Sequence, residues 1–68
     1  MSKDIIESNW TLAKEKIKQH WNKLTDDEIE QINGKYEELS GHIQKTYRYG
    51  KKRVEKEIAE FIKKNKLQ

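Results

Sequence analysis

The segment whose residue types most suggest a binding chemistry is 45–56, in which cations alternate with aromatic rings around a glycine. Six bases stand there against one acid, and the candidate contacts to phosphate or to an acidic partner are Lys45, Arg48, Tyr49, Lys51, Lys52, Arg53 and Lys56. Cations bind the nucleic-acid backbone whatever its base sequence, and a free aromatic ring stacks on an exposed base. Because Tyr47 fits an apolar helical stripe, Tyr49 is the ring of this segment that we expect to be free. The pattern therefore predicts weak, salt-dependent nucleic-acid binding, with a solvated helix connection as the alternative.

Metal and catalytic chemistry have little support in the sequence. The two histidines, His20 and His42, are 22 residues apart, and neither has the His-x3-His or Glu-x2-His spacing that a zinc site uses. Ser40 has no base and third partner arranged for nucleophilic catalysis, and the Asn-Gly-Lys run at 33–35 is too short for a phosphate-binding loop. We therefore predict no catalytic residue, no metal and no cofactor, and we expect the protein not to be an enzyme.

Length and composition limit the fold to one small domain. The chain has 68 residues, with a domain expected at 9–65 between a flexible segment at 1–8 and a tail at 66–68. Charged residues make up 40% against 32% apolar ones, but the net charge is only +3 and the apolar residues are periodic, so we expect a folded chain. Cysteine is absent, which excludes a disulfide framework. An apolar run of membrane-spanning length and an export signal are also absent, so we expect no membrane span and a cytoplasmic location.

Apolar residues recur every three or four positions, which predicts four helices, at about 10–23, 25–33, 35–47 and 52–64. Thr25 and Glu28 have the spacing of a capping box, which predicts the start of the second helix. Asn33-Gly34 is a natural stop for that helix, and a single helix bent at Gly34 is the alternative. Gly50 is expected to be a left-handed cap that closes the third helix.

The predicted fold is all-α, a small four-helix bundle of two packed helical hairpins with a short second helix. Gly41 lies inside the third helix, where we expect it to let another helix approach closely. The core is expected to contain the apolar residues that share the helical stripes, namely Trp10, Ile17, Trp21, Leu24, Ile29, Ile32, Tyr36, Leu39, Ile43, Tyr47, Val54, Ile58 and Phe61.

Charge is distributed unevenly along the chain. Residues 25–38 carry six acids and one lysine, whereas residues 44–56 carry six bases and one acid. These stretches would attract each other either between two copies, giving a self-complementary dimer, or within one chain, orienting its helices. Exposed ion pairs contribute only about 0–1 kcal/mol each, so we expect a monomer with at most weak self-association.

Several residues recur together at spacings typical of one known family: Asn9-Trp10, Trp21, the run Lys-Leu-Thr-Asp-Asp at 23–27, Ile32, Gly34-Lys35, Leu39, Gly41, Ile43-Gln44 and Tyr47. Over residues 9–61 the chain resembles the CsbD-like bacterial stress-response proteins without a gap. The resemblance implies a short, helical, cytoplasmic protein associated with general stress, and it supplies no catalytic or ligand-binding residue. Arg48 departs from the pattern, because that position commonly holds glycine in the family.

Two functions follow as expectations. The first is a non-enzymatic general stress protein, as the resemblance implies, which protects other macromolecules through abundance and hydration. The alternative is a weak, sequence-independent nucleic-acid-binding module that uses residues 45–56. The sequence does not identify the partner.

Overall fold

Four α-helices account for most of residues 9–66, the part of the chain that the computed structural model describes. They are α1 (Trp10–His20), α2 (Asp26–Ile32), α3 (Tyr36–Tyr47) and α4 (Lys51–Lys64). The predicted all-α class and the short second helix are therefore confirmed. The predicted flexible segment at 1–8, and residues 67 and 68 of the predicted tail, lie outside the described residues. In residues 9–66 no helix has the length and apolar character needed to cross a membrane.

The first helix ends three residues earlier than predicted. The N–H of Trp21 still donates to the carbonyl of Ile17 at 2.8 Å, but the Trp21 backbone is no longer helical. The chain then turns, with the N–H of Leu24 bonded to the carbonyl of Trp21 at 3.0 Å. This early exit places the Trp21 indole in the core, with its centroid 4.8 Å from that of the Phe61 ring.

The second helix begins where the capping box predicts. The N–H of Glu28 donates to the Thr25 hydroxyl oxygen at 3.2 Å, and the N–H of Thr25 donates to the Glu28 carboxylate at 3.0 Å. Two donors that a helix start would otherwise leave unpaired are thus satisfied. Leu24 and Ile29, which flank this start, are both buried in the core.

The second and third helices are separate, so the alternative of one bent helix is wrong. Asn33 adopts the left-handed conformation with φ 46° and ψ 43°, and Gly34 follows with φ 82°. The N–H of Lys35 then donates to the carbonyl of Ile32 at 2.9 Å, which closes the turn. Residues without a Cβ, or with a short polar side chain, tolerate this conformation best, which is why Asn-Gly stops the helix here.

Both expectations for the later glycines are wrong. Arg48, not Gly50, is the left-handed cap of α3, with φ 59° and ψ 37°. Gly50 has φ −70° and precedes α4 as its N-cap residue. The chain must reverse directly after Tyr47, whose ring packs on the core, so the left-handed residue falls at 48. Gly41 is exposed, and a Cβ added there would meet nothing within 4 Å. No described helix therefore packs closely against Gly41.

The core lies where the four apolar stripes meet. Helix α3 packs against α2 and α4, α1 packs against α2, and the Trp21–Phe61 contact joins the end of α1 to α4. The buried residues are Ala13, Ile17, Trp21, Leu24, Ile29, Ile32, Leu39, Ile43, Val54, Ile58, Phe61 and Ile62. Of the predicted core residues, Trp10, Tyr36 and Tyr47 are only partly buried and pack against this cluster.

Candidate nucleic-acid interface

The seven candidate residues lie along the junction between α3 and α4. Lys45 is in the last turn of α3, Arg48 and Tyr49 are in the connection, and the remaining four are in the first two turns of α4. All six cations are exposed, whereas Tyr49 is partly buried. We call this set, Lys45, Arg48, Tyr49, Lys51, Lys52, Arg53 and Lys56, the basic surface.

The cations of the basic surface have no carboxylate partner among the residues that the structure describes. Within residues 9–66, no ion pair joins any of these six side chains to an acid. The only close contact that the structure gives them is that between Arg53 and an aromatic ring. Their charge is therefore available to a partner of opposite sign.

Two acids of α2 form ion pairs with α1. The ammonium of Lys18 lies 2.6 Å from the Asp26 carboxylate, and that of Lys14 lies 3.4 Å from the Glu30 carboxylate. Both lysines belong to α1, so these ion pairs of the acidic helix run to α1 and not to the basic segment 44–56. The cations of the basic surface therefore do not have these two acids as partners.

Glu28 has a different partner on α3. Its carboxylate oxygen lies 3.3 Å from Nδ1 of His42, and both side chains are largely shielded from solvent. The Thr25 backbone N–H and then His42 favour the ionised carboxylate, and they hold the pKa of Glu28 below its ordinary value of 4.5 in spite of partial desolvation. This contact joins α2 to α3, and His42 also lines a surface pocket with Lys45 of the basic surface.

The start of α4 concentrates positive charge. Its first turn holds Lys51, Lys52 and Arg53, contains no acid and has no side-chain cap. The positive end of a helix dipole disfavours each cation there by about 0.3–1 kcal/mol. An anion close to this turn would relieve that repulsion.

Arg48 also occupies an unfavourable position. Its φ of 59° lies in the left-handed region, which costs an L-residue other than glycine about 1–2 kcal/mol. The side chain is exposed, so no core packing compensates for this cost.

The expectation that Tyr49 is a free ring is wrong. Tyr49 packs against the core, its ring centroid lies 5.5 Å from that of Tyr47, and the Arg53 guanidinium carbon lies 3.8 Å from its centre. Tyr47 is held in turn by Lys23, whose N–H donates to the tyrosine hydroxyl at 3.3 Å and whose ammonium lies 5.6 Å from the ring centre. Sequence reasoning missed Lys23, because 24 residues separate it from Tyr47 and no local pattern connects the two.

The two histidines make separate contacts, and neither is one of the residues of the basic surface. The His20 ring lies 4.4 Å from the Trp21 ring and 5.4 Å from the Phe61 ring, between centroids. His42 contacts Glu28, as described above. In the described part of the chain, no three carboxylate or imidazole side chains are close enough together to hold a metal ion.

Comparison with known proteins identifies the family. Residues 4–56 match the family model described as CsbD-like. UPF0337 protein YjbJ of Escherichia coli (strain K12) is 43% identical over 65 residues, which cover 96% of this chain and 94% of that protein. UPF0337 protein pc0632 of Protochlamydia amoebophila is 41% identical over 66 residues, which cover 97% of this chain and 100% of that protein.

A third relative, UPF0337 protein ECA0631 of Pectobacterium atrosepticum, is 47% identical over 58 residues, which cover 85% of this chain and 84% of that protein. No solved structure matches the chain. The family model covers most of the sequence, and the relatives align along nearly their whole length. The chain therefore belongs to the CsbD-like family.

Proposed function

We propose that this protein is a non-enzymatic, cytoplasmic general stress protein that binds nucleic acid, weakly and without base-sequence preference, through the basic surface. The observation that carries the proposal is the set of six exposed cations that pair with no acid in residues 9–66. The stress association rests on the resemblance to CsbD-like proteins.

The physical basis is the release of counterions. A nucleic acid carries condensed cations, and each phosphate that a lysine or arginine neutralises frees some of them into solution. Binding of this kind is independent of base sequence and weakens steeply as salt rises. Cations that form no ion pair are the ones best able to take part, because they break no ion pair within the protein when they bind.

Two unfavourable features of the fold support the same surface. The cations in the first turn of α4 oppose the helix dipole, and Arg48 holds a left-handed conformation. Both features reduce stability, and both would be offset by a bound phosphate backbone. Strained or repelled residues that cluster on one surface support a binding role for it.

The experiment is fluorescence anisotropy with labelled random-sequence DNA, single-stranded and duplex in separate titrations, over a series of salt concentrations. The wild type is compared with the double variant Lys51→Gln/Lys52→Gln. We expect the variant to bind more weakly and its salt slope to be smaller by about 0.7–0.9 for each lost phosphate contact. Because these changes remove cations from the positive end of α4, they should not destabilise the fold, so weaker binding cannot be attributed to unfolding.

The matched control is Lys63→Gln/Lys64→Gln, which removes the same charge from the last turn of α4. We expect it to retain wild-type affinity to within about twofold, since net charge alone has a smaller effect than direct phosphate contact. Equal loss in the two double variants would refute a defined basic surface. Absence of binding to either DNA at low salt would refute the proposal and favour protection through abundance and hydration.

A further inference from the structure

We infer that the basic surface prefers single-stranded nucleic acid, because Arg53, held on the face of Tyr49, presents its outer guanidinium face to one unpaired base. This inference rests on the proposed function and adds the class of nucleic acid and the residue that selects it. Three observations support it: the Arg53–Tyr49 contact, the exposure of Arg53, and the packing of Tyr49 against the core and Tyr47.

The Arg53 guanidinium contacts the ring of Tyr49. The guanidinium carbon lies 3.8 Å from the ring centre, which is close to van der Waals contact. A planar guanidinium reaches that distance by lying against the face of the ring, since its N–H groups would collide with the ring in an edge-on approach. One face of the Arg53 group is therefore covered by Tyr49.

The opposite face of the Arg53 guanidinium is not covered by Tyr49. Arg53 is exposed, and in residues 9–66 it forms no ion pair. A guanidinium covered on one side and exposed overall leaves its other face open to solvent. Bases stack on arginine planes as they do on aromatic rings, so this face is a platform of the right size for one base.

Contacts with the core and with Tyr47 restrict Tyr49, and through it the Arg53 side chain, in the absence of a ligand. Tyr49 packs against the core and lies 5.5 Å from Tyr47, between ring centroids. Tyr47 accepts a hydrogen bond from the Lys23 N–H at 3.3 Å. Because Tyr49 already restricts the arginine side chain, less conformational entropy is lost when a base stacks on it.

Single strands and duplexes differ in whether they expose a base face that can stack on Arg53. In a duplex the faces of the bases are covered by their neighbours, so a duplex offers phosphates and base edges to the basic surface but no free base face. An unpaired base offers a free face as well, and Lys51, Lys52 and Arg48 are close in the chain to contact the phosphates beside it. A single strand therefore gains one contact that a duplex cannot make.

The test compares wild type with Arg53→Lys, using a fluorescently labelled random-sequence 20-mer as a single strand and as a duplex. Lysine retains the charge but has no plane on which a base can stack. The matched control is Arg48→Lys, which makes the same chemical change at a neighbouring exposed position. Urea unfolding of each variant establishes that the fold is intact.

We expect the wild type to bind the single strand about tenfold more tightly than the duplex, in keeping with one base stack. Arg53→Lys should lower the affinity for the single strand more than the affinity for the duplex and so remove most of that preference, whereas Arg48→Lys should change the two affinities in the same proportion. A strand carrying 2-aminopurine supplies a second readout, because stacking quenches its fluorescence. We expect quenching with wild type and with Arg48→Lys, and little with Arg53→Lys.

The failure of this inference can be told apart from that of the proposed function. Equal affinity of wild type for the single strand and the duplex overturns the stacking platform and leaves nucleic-acid binding in place. Equal effects of Arg53→Lys and Arg48→Lys on the preference overturn it as well. Absence of binding to both forms overturns both proposals.

Discussion

The guanidinium carbon of Arg53 lies 3.8 Å from the centre of the Tyr49 ring, so the first turn of α4 is joined to the connection that precedes it. Tyr49 packs against the core, and its contact with Tyr47 extends the arrangement to the end of α3. The most basic part of the described chain is thus ordered by aromatic contacts and not by ion pairs. None of its cations is committed to an ion pair within residues 9–66.

Replacing Arg48 with glycine separates stability from binding. Glycine adopts the left-handed conformation without the steric cost that an arginine bears, so Arg48→Gly should raise the free energy of unfolding by about 0.5–1 kcal/mol. The same change removes an exposed cation, and we expect lower affinity for nucleic acid. Urea unfolding and anisotropy measure the two effects. Higher stability with unchanged affinity would show that Arg48 takes no part in binding.

The glycines at 34 and 41 should respond to alanine in opposite directions. Gly34 has φ 82°, where a Cβ is strained, so Gly34→Ala should destabilise the protein by about 1–2 kcal/mol. Gly41 is in the middle of α3, and an added Cβ meets nothing within 4 Å, so Gly41→Ala should stabilise it by up to about 1 kcal/mol. Thermal melts of the two variants test this. Stabilisation by Gly34→Ala would contradict the left-handed turn between α2 and α3, and destabilisation by Gly41→Ala would contradict the open space beside Gly41.

Trp21 is the residue on which the core depends most directly. It is 3% exposed and its ring lies 4.8 Å from that of Phe61, so Trp21→Ala should cost about 3–5 kcal/mol. That loss is comparable to the whole stability of a domain of this size, and we expect unfolding at room temperature. Trp21→Phe, which leaves a smaller void, keeps the effect measurable by urea titration.

Leu12→Ala is the control for the core, because Leu12 is 47% exposed on α1. It should change stability by no more than about 0.5 kcal/mol. If Trp21→Ala melted at the wild-type temperature, the assignment of the core would be wrong.

The free energy of unfolding should depend on pH in the acidic range because of Glu28. Because its pKa is lower in the folded state than the ordinary 4.5, folding favours the ionised carboxylate. That contribution is fully present above the unfolded-state pKa and is lost as the pH falls through the folded-state pKa. Urea unfolding at pH values from about 6 down to about 3 measures it.

The comparison variant for this pH dependence is Glu28→Gln, which cannot ionise. We expect its stability to fall less steeply below pH 4.5 than that of wild type. His42→Gln leaves both hydrogen bonds from Thr25 in place and removes only the contact with His42, so it should give an intermediate slope. Parallel curves for wild type and Glu28→Gln would show that the capping box does not favour the ionised carboxylate.

Features of the fold that depend on near neighbours in sequence were predictable. The capping box joins Thr25 to Glu28, three residues apart, and the stop at Asn33-Gly34 is a property of those two residues. The end of α1 was not predictable in the same way, because it is set by the packing of Trp21 on Phe61, 40 residues later. The left-handed residue at 48 likewise follows from where the Tyr47 ring is held.

The candidate site was predictable in composition but not in arrangement. The six cations are close together in the sequence. They lie outside the apolar helical stripes, so their exposure could be predicted. The stacking of Arg53 on Tyr49, and the contact of Lys23 with Tyr47, join separate elements and follow only from the packed structure. The ion pairs that Lys14 and Lys18 of α1 form with acids of α2 also join separate elements.

An amide chemical-shift titration of isotope-labelled protein with random-sequence single-stranded DNA, at low salt and at about 150 mM salt, locates the binding surface residue by residue. We expect saturable shifts confined to residues 45–56 and to the neighbouring Lys23, reduced but still present at the higher salt. Shifts that are absent at low salt, or that are spread over α1 and α2 as strongly as over the basic surface, would contradict this expectation.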